Sequence, residues 1–202
     1  MAKRLRDKPI YLAPEILAYR DEKYNPIIID ERIGKQINAS DIDDKILIYK
    51  RQVEEWFINR AKCLMRGKNH NKNIFVVLMI ATAYIEGVQQ YREGETSENR
   101  SKKMFSNGMR RIFELQGVDE KHLDNLYKHL RCGLFHNGMS GDMIVLNCDF
   151  ENAITFSANI IDINPRLFLK TIIRDFERYI EDLSNSDNEE LRTHFDKMFD
   201  IV

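Results

Sequence analysis

Apolar residues recur at helical spacing through most of the chain after residue 40. From about 41 to 66, Ile42, Ile46, Tyr49, Val53, Trp56, Phe57 and Leu64 fall near a 3.6-residue period, which predicts one long amphipathic helix. Ser40 followed by Asp43 resembles the capping box that starts such a helix, and Gly67 with the polar run KNHNKN ends it. A second helix is expected over about 73–92. A third is expected over about 100–116, closed by Gly117, and a fourth over about 119–135, closed by Asn137-Gly138. The period then shortens to two. DMIVLN and NAITFS read as two short strands able to pair as a hairpin, and NIIDI offers a third. Asn164-Pro165 opens another helix, with the proline at its first position, that ends near Leu183. SNSDNEE is a linker, and a last short helix covers about 189–199. Residues 1–39 show no comparable period. They hold Pro9, Pro14 and Pro26 and the β-branched run Ile27 to Ile29, and read as an irregular arm with room for one strand or short helix. The expected class is mainly α: a helical bundle with a small β-hairpin insertion, about 142–163, after the fourth helix. The expected organisation is an arm over 1–39, a helical domain over 40–184 and a C-terminal short helix within 185–202.

Composition adds limits. The 202 residues are 43% hydrophobic, enough for a real core. A net charge of −1 gives no whole-molecule field to attract nucleic acid, so any such contact needs a local basic patch. Cys63, Cys132 and Cys148 are far apart and odd in number, which supports neither a disulfide framework nor a zinc knuckle and fits a reducing cytosol. The start, MAKRLRDKPIYLAPE, is basic without the apolar stretch of a secretion signal. The most apolar run, IFVVLMIATAYI (74–85), falls short of the ~20 residues of a membrane span and reads as a core helix. A cytoplasmic protein with no membrane contact, no cofactor and no metal is expected. Neither G-x-G-x-x-G nor a P-loop is present, so no second enzymatic domain is expected.

The candidate chemistry lies in LRCGLFHNGM, residues 130–139. On the fourth helix Leu123, Leu126, Tyr127, Leu130 and Leu134 share the core face. Arg131 and His136 are five residues apart, which on a straight α-helix separates them by about 140°. They flank the polar side, with Lys121, Lys128 and Phe135 between them. Phe135 is a large ring where solvent is expected, which suggests a partner surface or a stacking platform. One helix aims both groups at one point only if it distorts near Gly133 or if a second copy faces it. Two copies about a two-fold axis would line one cleft with two arginines and two histidines.

An arginine, four residues and a histidine at the end of a bundle helix resemble the R-x4-6-H signature of the HEPN superfamily (higher eukaryotes and prokaryotes nucleotide-binding domain). The flanking LYKHLRCGLFHNGM resembles a bacterial branch in which LR-x-GLFH-x-G is typical, and IATAYIEGVQQY on the second helix looks like that branch too. The similarity spans about residues 41–184 and gives the expected bundle a HEPN-like form. With 16 arginines and 5 histidines, the bare pattern arises by chance in about one such chain in three, so the flanking phrase carries the weight. Cys132 departs from the many active members that have Asn, Asp or His after the arginine. The resemblance implies a metal-independent endoribonuclease, dimeric, with Arg131 and His136 as the catalytic residues, in bacterial defence or toxin-antitoxin biology. The residue types suit that chemistry. A 2′-hydroxyl attacks its neighbouring phosphate if a base takes its proton, which an imidazole does near neutrality. An arginine fork matches the charge that develops on phosphate oxygens. RNA is the substrate class, because DNA lacks the attacking hydroxyl.

Each group also has a plainer reading. Arg131 and His136 can be helix-end cations favoured by the dipole. Glu86 is either a solvated helix residue or the carboxylate that fixes the Arg131 fork. Asn137 is a C-cap before it is a ligand. His122 and His129 read as a solvated stripe, and Met104, Met109 and Phe113 as core. DIDD (41–44) complements a helix N-terminus. Lys102, Lys103, Arg110 and Arg111 on the third helix form a solvated basic face or, with Lys128, an RNA groove. The expected partners are RNA, a second copy and an antitoxin or regulatory protein. The rival class is a catalytically silent HEPN module that binds nucleotide, RNA or a partner protein.

Overall fold

The computed structural model describes residues 5, 8–67 and 70–201. Most of the basic start (1–4, 6 and 7) lies outside the described residues, as do residues 68 and 69 of the polar run after Gly67. Where an irregular arm was expected, the chain forms a four-stranded antiparallel meander: β1 (Ile10–Ala13), β2 (Ile16–Arg20), β3 (Pro26–Asp30) and β4 (Lys35–Gln36), in that order. Its inner face buries Leu12, Ile16, Ala18 and Ile28 almost completely. Its outer face carries more apolar residues, with Leu17 paired to Ile29 and Tyr19 to Ile27. Both faces are therefore apolar, and the polar/apolar alternation that marks a half-buried strand is missing from the sequence. The β2–β3 turn is fixed by the Asp21 carboxylate, which accepts from the Lys23 and Asn25 amides at 2.8 Å each.

The chain divides into two compact units. The first comprises Met1–Arg60, Tyr91–Glu95 and Tyr179–Val202. In it the meander is joined by α1 (Ile42–Arg51), a wide-turn π-helical stretch (Gln52–Ile58) and α7 (Glu189–Met198). The cap of α1 is Asp41 rather than Ser40: its carboxylate accepts from the Asp43 and Asp44 amides. Asp30 and Arg51 form a buried two-point ion pair at 2.7 and 2.6 Å. The arginine holds the Asp30 carboxyl below its ordinary value, against the upward push of burial. Tyr49, Tyr91, Phe195 and Phe199 make an aromatic cluster with centroids 4.9 to 6.3 Å apart.

The second unit comprises Ala61–Gln90 and Thr96–Arg178. Its elements come from α2 (Asn59–Met65), α3 (Ile74–Glu93), α4 (Ser101–Ile112), α5 (Glu120–Asn125), a second π-helical stretch (Leu126–Asn137), β5 (Ile144–Leu146), β6 (Ile154–Phe156), β7 (Ile161–Ile163) and α6 (Pro165–Ser184). Ala61, Val77 and Leu169 form one core cluster, with Leu64, Met65, Ile80 and Ile173 packed on it. The expected hairpin is instead a three-stranded mixed sheet of order β5-β7-β6, in which β5 runs parallel to β7. Asn164 secures the exit: its amide donates to the Cys148 and Phe150 carbonyls, and its Oδ1 caps α6 at the Arg166 and Leu167 amides.

With 56% helix and two sheets, the protein is mixed α/β rather than a mainly α bundle with a hairpin insertion. One helical stretch among the described residues, His70–Glu93, is long and apolar enough to cross a membrane by length and composition, at 24 residues and mean hydropathy 1.3. The twelve-residue run lies within α3, whose 20 residues fall where a helix over about 73–92 was expected. Half of the most apolar window of His70–Glu93 is buried inside the protein.

Candidate functional site

The motif helix, Leu126–Asn137, is the longer of the two π-helical stretches. Its backbone bonds reach to the fifth residue, so residues five apart lie on one side as residues four apart do in an α-helix. The splay of about 140° expected between Arg131 and His136 on a straight α-helix does not apply. The wide turn instead narrows the angle between the two positions. The helix ends at Gly138, with φ 73°, in the left-handed conformation that glycine adopts without strain. Asn137 is the last helical residue, one position before the cap.

Arg131 is firmly held. Its Nε donates to Glu86 Oε2 at 3.1 Å, and its Nη2 lies 3.0 Å from the same oxygen in the ion pair. Its guanidinium carbon sits 5.7 Å from the Tyr127 ring centre and 5.0 Å from that of Phe135. Tyr127 is itself fixed by Ser101, whose Oγ is 3.2 Å from the phenol oxygen. Glu86 is 9% exposed, so it is a buried carboxylate compensated by Arg131 rather than a solvated helix residue. Among the described residues the third nitrogen, Nη1, makes no hydrogen bond. His136 is exposed and makes no hydrogen bond or ion pair among the described residues. The site thus holds one anchored cation with a spare donor and, five residues on along the wide-turn helix, one exposed imidazole.

The chain after Gly138 folds back on the motif helix. The Gly141 amide donates to the His129 carbonyl at 2.7 Å, and Asp142 lies 3.3 Å from His129 Nδ1. His122 packs 5.1 Å from the Phe156 ring. Both histidines are half-buried and partnered, not a solvated stripe. Met104 and Met109 are fully buried, and Phe113 packs 4.5 Å from Phe168.

Three of the four basic side chains of α4 are engaged within the protein. Arg110 turns inward to the Leu115 and Val118 carbonyls and to Glu120. Arg111 is clamped by Gln89 and Asp175, the carboxylate that also accepts from Tyr84. Lys102 pairs with Asp124 at 2.7 Å. Lys103 and Lys128 are exposed and make no ion pair among the described residues. The sequence reading missed Tyr127, although its step of four to Arg131 and again to Phe135 was visible. Among the described residues no cluster of three or more His, Cys, Asp or Glu could hold a metal ion.

Comparison with family models, with curated proteins and with solved structures finds no match to this chain.

Proposed function

We propose that this chain is a metal-independent RNA endonuclease of HEPN type that works as a homodimer in the cytoplasm. The observation that carries the reading is the pairing of Arg131, held by Glu86 between two rings with Nη1 to spare, with an exposed His136 one wide turn later. His136 takes the proton of a ribose 2′-hydroxyl. The 2′-oxygen attacks the adjacent phosphorus, the 5′-oxygen leaves with a proton, and a 2′,3′-cyclic phosphate remains. Nη1 of Arg131 donates to a non-bridging oxygen as charge builds there. Lys103 and Lys128 are the cations left for the RNA backbone. A place in bacterial defence, or beside an antitoxin partner, follows from the resemblance of LRCGLFHNGM alone.

Exposed apolar residues support the dimer. Phe135 is 42% and Met139 57% exposed at the end of the motif helix, and on α3 Phe75 and Val76 are 38% and 48% exposed. Patches of this kind mark protein interfaces. A second copy seated on Phe135 and Met139 would bring two Arg131–His136 pairs to one axis.

Cys132 favours a second reading, the silent binding module, because it stands where many active members of the resembled family carry a polar residue. Incubating the purified protein with total RNA in EDTA separates the two. Cleavage with 2′,3′-cyclic phosphate ends is expected. An intact RNA pool, with retention of RNA on the protein, would replace the nuclease by the module.

A further inference from the structure

We propose that the return from Gly138 to Asp142 is a register latch. It holds the motif helix in its wide-turn form, which makes Gly133 and Gly141 positioning residues for Arg131 and His136. In an α-helix the His129 carbonyl bonds the amide four residues on, that of Gly133. Here that carbonyl accepts the Gly141 amide at 2.7 Å. A donor entering the ladder from outside displaces the internal one, and the helical bonding slips to the fifth residue. The entry needs room that only two glycines leave. A Cβ on Gly133 would meet the Met139 carbonyl oxygen at 2.8 Å and the Gly141 nitrogen at 3.2 Å, both backbone atoms with little freedom to move. A Cβ on Gly141 would run into the His129 ring. That ring is fixed in turn by Asp142, at 3.3 Å. The latch decides geometry at the site. In the wide register the five-residue step from Arg131 to His136 returns to one side of the helix; in the α register it opens to about 140°.

The register itself is read with nickel, independently of any activity. In the full chain, Arg131→His places an imidazole five residues before His136, a pair that chelates Ni2+ only in the wide register. Cys132→His makes a pair four apart, which chelates in either register and serves as control. Calorimetric titration with Ni2+ alone should show both variants binding at least about ten-fold tighter than wild type. Adding Gly133→Ala should abolish the gain in the Arg131→His chain and leave it in the Cys132→His chain. Loss of binding in both would mean local unfolding, and binding in both would mean that Gly133 does not set the register; either overturns the latch.

The functional half of the inference rests on the RNA-cleaving reading. Gly133→Ala in the otherwise natural chain should lower kcat by at least about 10²-fold through misplacement of the base, with KM little changed. A purely structural glycine would instead lower the amount of folded enzyme and leave kcat per folded molecule unchanged. If wild type cuts no RNA, the nuclease reading fails, and the nickel titration still decides the register.

Discussion

Arg131→Ala removes the cation from a mostly buried pair, and its cost can be worked from the contacts. Glu86 keeps 11% of its side-chain surface and Arg131 22%. Breaking a buried pair from one side costs about 3–5 kcal/mol, because the remaining charge is left uncompensated. The residual exposure of Arg131 argues for the low end, about 3 kcal/mol. Loss of contact with the Tyr127 and Phe135 rings adds about 0.5–1 kcal/mol. Glu86→Gln should be milder, about 1–1.5 kcal/mol, since an amide oxygen still accepts from the guanidinium but without charge. In the double variant Arg131→Ala with Glu86→Gln, no buried charge remains unpaired. Its cost should fall below the sum of the singles by about 1–2 kcal/mol. Urea unfolding followed by far-ultraviolet circular dichroism measures all three. A cost below about 0.5 kcal/mol for Arg131→Ala, within the range of ordinary surface changes, would refute the anchored-cation account. The same number bears on the nuclease assay, because Arg131→Ala then confounds activity with stability. Arg131→Lys keeps the charge and loses the fork. It should retain most of the stability and lose at least about 10²-fold in cleavage.

His136→Ala touches no described partner, so it should leave the unfolding midpoint unchanged and lower RNA cleavage by at least about 10²-fold; a well-folded variant cutting at the wild-type rate removes His136 from the mechanism. Phe135→Glu should shift the dimer toward monomer in light scattering at micromolar concentration, by placing charge in an apolar contact, and an unchanged mass would put the interface elsewhere. Asp30→Asn tests the first unit. The carboxyl is held below its ordinary value by Arg51, so the pair's stabilisation is complete above the unfolded-state value and is lost as pH falls through the lower folded one. Wild type should therefore lose stability below about pH 4, by fluorescence of Trp56, the single tryptophan, while the variant is weaker at neutral pH and flatter in acid. Equal acid slopes in the two proteins would break that link.

The helices of the second unit were legible because their apolar stripes follow the helical period, and the strand signals at 144–163 were legible because the period changed. The meander was not. Its strands are two to five residues long, and residues such as Leu17, Tyr19, Ile27 and Ile29 make its second face as apolar as its first. A strand with no polar face shows no alternation, and the prolines at 14 and 26 then dominate the reading. The parallel pairing of β5 with β7 was equally hidden, because pairing order leaves no trace in the residues of a three-residue strand. Arg110 and Arg111 were read as a face because helical geometry puts side chains outside by default; only the fold reveals that Asp175 and the loop carbonyls turn them inward.

The motif helix is the instructive case, because its wide register leaves no mark in the spacing of its residues. Leu126, Leu130 and Leu134 advance in steps of four, and so do Tyr127, Arg131 and Phe135. In an α-helix a step of four overshoots a turn by about 40°, close enough for three in succession to share one apolar stripe. In a helix bonded to the fifth residue, which has more than four residues per turn, the same step falls short of a turn by a similar amount, so the spacing alone does not tell the two registers apart. The first row is buried, at 0%, 0% and 1% exposed. The second carries the arginine between its two rings. The α-helical default made a second copy of the chain the simplest way to bring Arg131 and His136 to one point. The wide turn narrows the angle between them within one chain. The homodimer therefore has to be argued from the exposed Phe135 and Met139 and the apolar end of α3, and no longer from the angle between the two motif residues.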